Sequence, residues 1–253
     1  MGTQNMHAAL VSGAGIGIGA ATAKILGRDG YHVFVTDILH DEGEAVAAEI
    51  RAAGGSAEFL FLDVSDTAAC NAAITAIEAR MPLAAVVANA GIAPRAAYPI
   101  LSDEKWDHVM EVNLKGQLRL IRAAAPAMSA RQHGAMVCVS SIAGAVVGWD
   151  DHWHYSAAKA GITGLVRAAA CELAKHKVRV NGVAPGFVRT AQILSEENSL
   201  GAAGLAAAVQ SVPMKREADP SELGEVIAFL LSDKASYITG QTLIVDGGLT
   251  VAL

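Results

Sequence analysis

Ser12-Gly13-Ala14-Gly15-Ile16-Gly17-Ile18-Gly19 is the stretch that decides how this chain folds. It follows a short apolar run over residues 8–12 and precedes a helical pattern that continues to about residue 29. Glycines between a strand and a helix permit a tight turn. They also let backbone N–H groups approach an anion at the helix N-terminus, where the helix dipole favours negative charge. A Gly-x-Gly-x-x-Gly pattern started at Gly13 fails, because Ile18 takes its last place; started at Gly15, it meets Gly17 and Ala20, the looser form. Gly-x-x-x-Gly-x-Gly at Gly13, Gly17 and Gly19 describes the turn better. No Gly-Lys-Ser/Thr follows, which excludes a nucleoside-triphosphatase loop. The context points to a pyrophosphate cradle formed by Gly13, Gly15, Gly17, Ile18 and Gly19.

Downstream, apolar runs and helical patterns alternate. Further strands are expected at 31–36, 58–62, 84–88, 135–140, 178–183 and 242–245, and helices at 41–53, 67–80, 107–130, 155–176 and 221–231. The strands read as continuous apolar runs, the pattern of strands buried on both faces. Such alternation implies an α/β fold: one doubly wound, Rossmann-type domain over 1–253, with a mostly parallel seven-stranded sheet and helices on both faces. A less regular stretch at about 190–213 breaks the rhythm and reads as a helical insertion covering a pocket.

Asp37 closes the second strand. A carboxylate there suits the two hydroxyls of an NAD ribose and repels the 2′-phosphate of NADP. Neither Lys nor Arg occurs in the glycine turn or at Ile38, Leu39 and His40, so NAD is favoured and NADP disfavoured. The bulk numbers agree with a small-molecule enzyme. The chain is 53% hydrophobic and 17% charged, with a formal net charge of -6, so a large core is feasible and nucleic-acid binding is disfavoured. Cys70, Cys138 and Cys171 form no Cys-x-x-Cys pair and read as free thiols of a reducing compartment. The polar start lacks a signal-peptide pattern and no apolar run suffices to span a bilayer, so a cytoplasmic location is expected.

Tyr155-Ser156-Ala157-Ala158-Lys159 carries the chemistry. On a helix, residues four apart share a face, and a nearby fixed positive charge favours a phenolate. Tyr155 tuned this way is a candidate general acid/base.

Together these features resemble the short-chain dehydrogenase/reductase family, of the kind that includes 3-oxoacyl-carrier-protein reductases and NAD-dependent secondary alcohol dehydrogenases. The resemblance spans nearly the whole chain. It rests on the glycine turn, Asp63-Val64, Asn89-Ala90-Gly91, Asn113, Ser140-Ser141, Tyr155-x-x-x-Lys159, Pro185-Gly186-Phe187-Val188-Arg189-Thr190, Ile238-Thr239-Gly240-Gln241 and Asp246-Gly247-Gly248. It implies a catalytic set of Asn113, Ser141, Tyr155 and Lys159. Ser141 is preferred to Ser140 because it meets the family's usual interval before the tyrosine. The resemblance also implies Asp63 and Val64 beside an adenine, Asn89, Ala90 and Gly91 along the cofactor, and Pro185, Gly186, Val188 and Thr190 at the nicotinamide half. In the implied mechanism Tyr155 exchanges the proton of an alcohol or ketone while hydride passes to or from the nicotinamide. Lys159 lowers the tyrosine pKa and holds the ribose, Ser141 holds the substrate oxygen, and Asn113 opens its helix and holds a relay water. Two departures stand out: Ser12 replaces a commoner Thr, keeping a hydroxyl, and Ala88 stands where a second Asn is common.

The loop Gly148-Trp149-Asp150-Asp151-His152-Trp153-His154 joins Ser141 to Tyr155. It could ligate a metal, but the implied mechanism needs none and no metal is assigned; a substrate wall is preferred to that and to a surface or subunit-contact loop. Ser141, Val147, Trp149, His154, Tyr155, Phe187 and Ile193 are then the substrate residues, facing a small, mainly apolar alcohol or ketone. The alternatives are a 3-oxoacyl-thioester reductase, a catalytically silent dinucleotide-binding regulator, and a sugar-nucleotide epimerase sharing Tyr-x-x-x-Lys, disfavoured by the glycine spacing. For a carrier-protein substrate, only Arg95, Arg119, Arg122 and Arg131 hint at a basic docking face. A homotetramer is implied by the resemblance, with Gly161, Gly164, Ala168 and Ala169 giving a small-residue helix surface and an apolar tail at 249–253.

Overall fold

A computed structural model describes residues 7–252. Its chain runs β1 (Ala8–Ser12), α1 (Gly17–Arg28), β2 (His32–Asp37), α2 (His40–Ala52), β3 (Ser56–Phe61), α3 (Thr67–Glu78) and β4 (Leu83–Ala88). It continues through α4 (Asp103–Met110), α5 (Gly116–Arg131), β5 (Gly134–Val139), α6 (Ile142–Ala145), α7 (Trp153–Leu173) and β6 (Val178–Pro185). The last elements are α8 (Ala191–Leu194), α9 (Gly201–Ala208), α10 (Pro220–Leu231) and β7 (Thr242–Val245). The seven strands form one parallel sheet in the order β3-β2-β1-β4-β5-β6-β7.

The unbroken apolar runs follow from helices on both faces. Along β1, Ala9 and Val11 join a core with α1, α2 and α10, while Ala8 and Leu10 join a second core with α3, α5 and α7. Alternate residues of one strand thus feed opposite layers, so both faces of the strand are apolar.

The strand order reverses between β1 and β4, where a parallel sheet opens a crevice at its C-terminal edge. Side chains close the gap. The Ser12 hydroxyl accepts from the backbone N–H of Asn89 (3.0 Å) and Ala90 (3.1 Å) and donates to the Val87 carbonyl (3.3 Å). Asn89 Nδ2 donates to the Ser12 and Gly13 carbonyls, both at 3.0 Å.

Sequence and structure differ most at the expected helix 107–130. It is two helices joined by a π-helical turn, Glu111–Lys115. The first begins earlier because the Ser102 hydroxyl caps it, accepting from Lys105 N–H at 3.3 Å. The wide turn directs Asn113 inward, where Nδ2 donates to Ile92 O and Oδ1 accepts from Ile92 N–H, both at 2.8 Å. The small-residue surface of α7 also divides. Gly164 and Ala168 are exposed, but Gly161 packs inside the chain, where an added Cβ would lie 2.8 Å from Leu114. Of the tail 249–253, residue 253 lies outside the described residues. The three cysteines are free.

Ser12 is buried, so Ser12→Ala leaves two strand-end N–H groups without their acceptor. Urea unfolding should show a loss of about 2 kcal/mol, with Ser12→Thr close to wild type.

Candidate active site

A cleft of about 720 Å³ lies over the C-terminal edge of the sheet, floored by the glycine turn and roofed by the insertion after β6. Gly13 adopts φ +63, and an added Cβ there would lie 2.8 Å from Ala90 Cα. Gly19 admits no side chain, since its Cβ would fall 2.0 Å from the Gly13 carbonyl oxygen. These two glycines let the turn fold flat between β4 and α1, which leaves room for a backbone-bound anion.

Gly13, Gly17 and Ile18 line the cleft, and so do Asp37, Ile38, Asp63 and Val64. Asn89, Ala90 and Gly91 line it at the end of β4, and Pro185, Gly186, Val188 and Thr190 after β6. Gly15 and Gly19 stand behind this wall. Gly15 N–H donates to Asp37 Oδ2 at 2.8 Å, and Leu39 N–H donates to Asp37 Oδ1 at 3.0 Å. The Asp37 carboxylate is thereby fixed at the rim as a charge-assisted acceptor. The cradle fits a dinucleotide: a turn that no side chain could fill, a fixed acidic acceptor beyond it, and no Lys or Arg among the lining residues except Lys159.

Ser141, Tyr155 and Lys159 line the same cleft. Ser141 ends β5 and caps α6, its hydroxyl accepting from Ala143 N–H at 3.1 Å. Ser140 also borders the cleft, but its hydroxyl donates to the Lys159 carbonyl at 2.7 Å and so serves the fold. Lys159 Nζ donates to the Val139 carbonyl at 2.8 Å and lies 5.5 Å from the Tyr155 ring centre. Asn113 does not line the cleft, but its amide meets Ile92 beside Gly91, where an added Cβ would lie 3.3 Å from Asn113 Oδ1 and 3.5 Å from Lys159 Nζ.

The electrostatics differ from the expectation that Lys159 lowers the tyrosine pKa. Burial raises the Tyr155 phenol above its ordinary value, opposed by hydrogen bonds from the Ser141 and Gln192 side chains. Burial also pushes the Lys159 ammonium down, to about 8. Desolvation penalises either charged form, and here it outweighs the attraction expected from the spacing.

Of the expected substrate residues, Val147, Trp149, Phe187 and Ile193 line the cleft with Ser141 and Tyr155. Trp149 packs edge-on against Tyr155 at 5.5 Å and stacks on His152 at 3.7 Å. His154 does not belong with them. It is fully buried on the far side of its helical turn, and both ring nitrogens lack a hydrogen-bond partner. Next to Tyr155 in sequence, its side chain cannot point the same way along α7. The remaining loop groups hold the chain together. Asp151 pairs with Arg95 at 3.0 Å, and the His152 ring lies between the carbonyls of Asp150 (2.7 Å) and Asn198 (3.2 Å). Among the described residues, no group of three or more His, Cys, Asp or Glu gathers as metal ligands.

The insertion folds as α8 and α9, its ends stitched by a bridge between Val188 and Ala218. Gln192, Ser199, Leu200 and Ala208 line the cleft from it, and sequence reasoning missed all four. Gln192 carried one signal, an amide inside the short apolar run Ala191–Leu194.

A parallel sheet with a glycine cradle at its switch point and a Ser/Tyr/Lys set on the same edge defines a Rossmann-type oxidoreductase. The profile of a family described as Enoyl-(Acyl carrier protein) reductase matches residues 13–250. The chain is 37% identical over 249 residues to the trans-4-hydroxycyclohexanecarboxylate dehydrogenase of Sinomonas cyclohexanicum, covering 96% of this chain and 92% of that one. It is 37% identical over 243 residues to the 3-oxoacyl-acyl-carrier-protein reductase FabG of Aggregatibacter actinomycetemcomitans, covering 95% and 98%. A crystal structure of a candidate NAD(P) dependent gluconate 5-dehydrogenase from Beutenbergia cavernae, with NADP bound at low occupancy, superposes with TM-score 0.91 at 36% identity, covering 97% of each chain. The chain belongs to the short-chain dehydrogenase/reductase family and is an oxidoreductase acting on hydroxyl or keto groups.

His154 provides a test of its own placement. Burial lowers its pKa from 6.5, so the folded chain resists a proton that the unfolded chain takes up as pH falls through that value. The unfolded state then binds more protons and stability drops with falling pH. His154→Leu should flatten that drop below pH 6.5 and raise stability by about 1–2 kcal/mol in urea titrations run across pH.

Proposed function

We propose that this enzyme interconverts a secondary alcohol and a ketone with NAD(H), using Tyr155 as general acid/base. The observation that carries the reading is the convergence of Tyr155, Ser141 and Lys159 on the cleft that also holds the glycine cradle and Asp37. When bound, the nicotinamide supplies or accepts the hydride. Tyr155 exchanges the proton at the substrate oxygen, and its raised pKa keeps the phenol protonated at neutral pH, the form that protonates a ketone. Ser141, locked by its cap bond, holds the substrate oxygen in reach of the phenol. Lys159 faces the ring and the Gly91 strand end, where its ammonium would hold ribose hydroxyls. Asn113 keeps its helix open beside Ile92, and its turn would hold the relay water of the mechanism.

Asp37 supports NAD, because a 2′-phosphate would approach a fixed carboxylate, and among the described residues lining the cleft Lys159 is the sole Lys or Arg. The apolar wall of Val147, Trp149, Phe187, Ile193 and Leu200 supports a small, mainly apolar substrate, and a cyclic secondary alcohol like that named for the Sinomonas relative suits it. The FabG relative supports 3-oxoacyl-thioester reduction as a second reading. Against it, three of the four arginines of the expected docking face are engaged within the chain. Arg95 pairs with Asp151, Arg119 with Glu111, and Arg131 with Glu78. Assembly as a cytoplasmic homotetramer completes the reading, supported by the exposed Gly164 and Ala168 on α7.

Tyr155→Phe should lose turnover by about a thousandfold while keeping dinucleotide affinity, read by stopped assays and nucleotide fluorescence. A panel of cyclic secondary alcohols offered with NAD and with NADP should favour NAD by about tenfold or more. A preference for NADP would overturn the role given to Asp37.

A further inference from the structure

We propose that His152 is a positioning residue that latches the insertion to the substrate wall, and that it holds this latch as an imidazolium. The inference stands whichever alcohol or ketone the cleft takes.

His152 does not line the cleft, but it joins two segments that do. Its ring stacks on Trp149, a cleft residue, and its Nε2 meets the Asn198 carbonyl of the insertion at 3.2 Å. Ser199 and Leu200, the next two residues after Asn198, both line the cleft. The Asn198 carbonyl is presented by a tight turn, in which Asn198 N–H donates to Ser195 Oγ at 3.2 Å and Ser199 N–H to the Ser195 carbonyl at 2.9 Å. On the other side, the His152 carbonyl accepts from Ser156 N–H at 2.8 Å and starts α7, the helix that carries Tyr155. One ring thus ties the insertion to the first turn of the catalytic helix.

Two independent features assign the protonation state. A backbone carbonyl can only accept a hydrogen bond. Nδ1 faces the Asp150 carbonyl at 2.7 Å while Nε2 faces that of Asn198. A neutral imidazole has a single N–H, so it serves one carbonyl and turns a lone pair on the other. The imidazolium donates to both. The stack agrees. The ring centres of Trp149 and His152 are 3.7 Å apart with planes 5° from parallel. Neutral aromatic pairs prefer offset or edge-on contact, whereas a cation is drawn to the face of an indole. The ring is only 2% exposed, and two charge-assisted bonds and the indole face compensate the charge.

The neighbouring charged groups do not take over this role. Asp151 is held by Arg95 at 3.0 Å. On α7 the His154 and Tyr155 rings lie 6.5 Å and 6.2 Å away, and His152 together with Lys105 of α4 opposes a proton on His154. Glu196 and Glu197 belong to the turn that presents Asn198, yet among the described residues no carboxylate bonds the His152 ring. The seated insertion therefore keeps a proton that a released one gives up at neutral pH. By linkage, seating is favoured as pH falls and opposed as pH rises through the ordinary histidine range.

Hydrogen exchange read by mass spectrometry tests the latch, on wild type, His152→Gln, His152→Phe and His154→Leu at about pH 6 and about pH 8. Glutamine offers a donor that does not titrate, and phenylalanine keeps the ring stack with no donor. Protection factors remove the intrinsic pH dependence of exchange. In wild type the protection of the amides at 195–200 should fall about fivefold from the lower pH to the higher, as one hydrogen bond is lost. His152→Gln should stay near the wild-type value of the higher pH, His152→Phe should lie at or below it, and neither should vary with pH. His154→Leu should keep the wild-type fall. Wild-type protection that does not change with pH overturns the proposal without recourse to any variant. So does a His152→Gln protein that keeps the wild-type fall, or a His154→Leu protein that loses it.

Discussion

The bridging of β1 to β4 is the constraint on which the site depends. Where the strand order reverses, the connections leave β1 and β4 toward opposite faces, and the last backbone groups of each strand lose their ladder partners. Unpaired, they would each cost about 1–3 kcal/mol. Ser12 and Asn89 satisfy them by reaching across the gap with two side chains. The same bonds fix Gly13 against Ala90, at a spacing that excludes a Cβ. The floor of the cleft is thus a by-product of satisfying a sheet edge: the atoms that cure the gap also press the turn flat beneath it.

From that edge, position is handed on by contact. Gly91 continues past Ala90 and lies where an added Cβ would press on Asn113 Oδ1 at 3.3 Å and touch Lys159 Nζ at 3.5 Å. The Asn113 amide is spent on Ile92 just beyond, which a regular helix could not allow while packing α5 against the sheet. One wide turn resolves the conflict, and a single π-helical turn inside longer helices is often the mark of a functional site. The path from glycine turn to lysine runs through backbone and short polar side chains, so the geometry is rigid where the chemistry needs it.

The strands could be read from the sequence because burial on both faces leaves an apolar run that few other structures produce. Even the last short strand, Thr242–Val245, has its expected limits. Of the residues in local motifs, Gly13, Gly17, Ile18, Asp37 and the end of β4 line the cleft, while Gly15 and Gly19 do not. What escaped depends on tertiary contact. Asn113 hinted at an opened helix, but the π-turn is stabilised by a bond to Ile92, and no local pattern encodes a partner so far along the chain. His154 was misread because a histidine beside two tryptophans looks like a pocket residue, whereas helical phase puts it behind Tyr155. Gln192 lies in a stretch whose composition says helix and whose orientation is set by Thr190 and by the Val188–Ala218 bridge.

The four-residue spacing of Tyr155 and Lys159 suggested one charge tuning the other. The structure makes burial the stronger force on both. It lifts the phenol and lowers the ammonium to about 8, so the two values move apart, with the lysine the first to lose its proton. The spacing places Nζ 5.5 Å from the ring centre, and the ammonium spends a hydrogen bond on the Val139 carbonyl. Lysine there organises the strand end and the sugar side of the cleft. Hydrogen bonding from the Ser141 and Gln192 side chains opposes the rise in the phenol pKa without reversing it. A buried phenol whose ionisation is governed by desolvation responds to how well water is excluded around it, so the walls of the cleft are part of the acidity of the site.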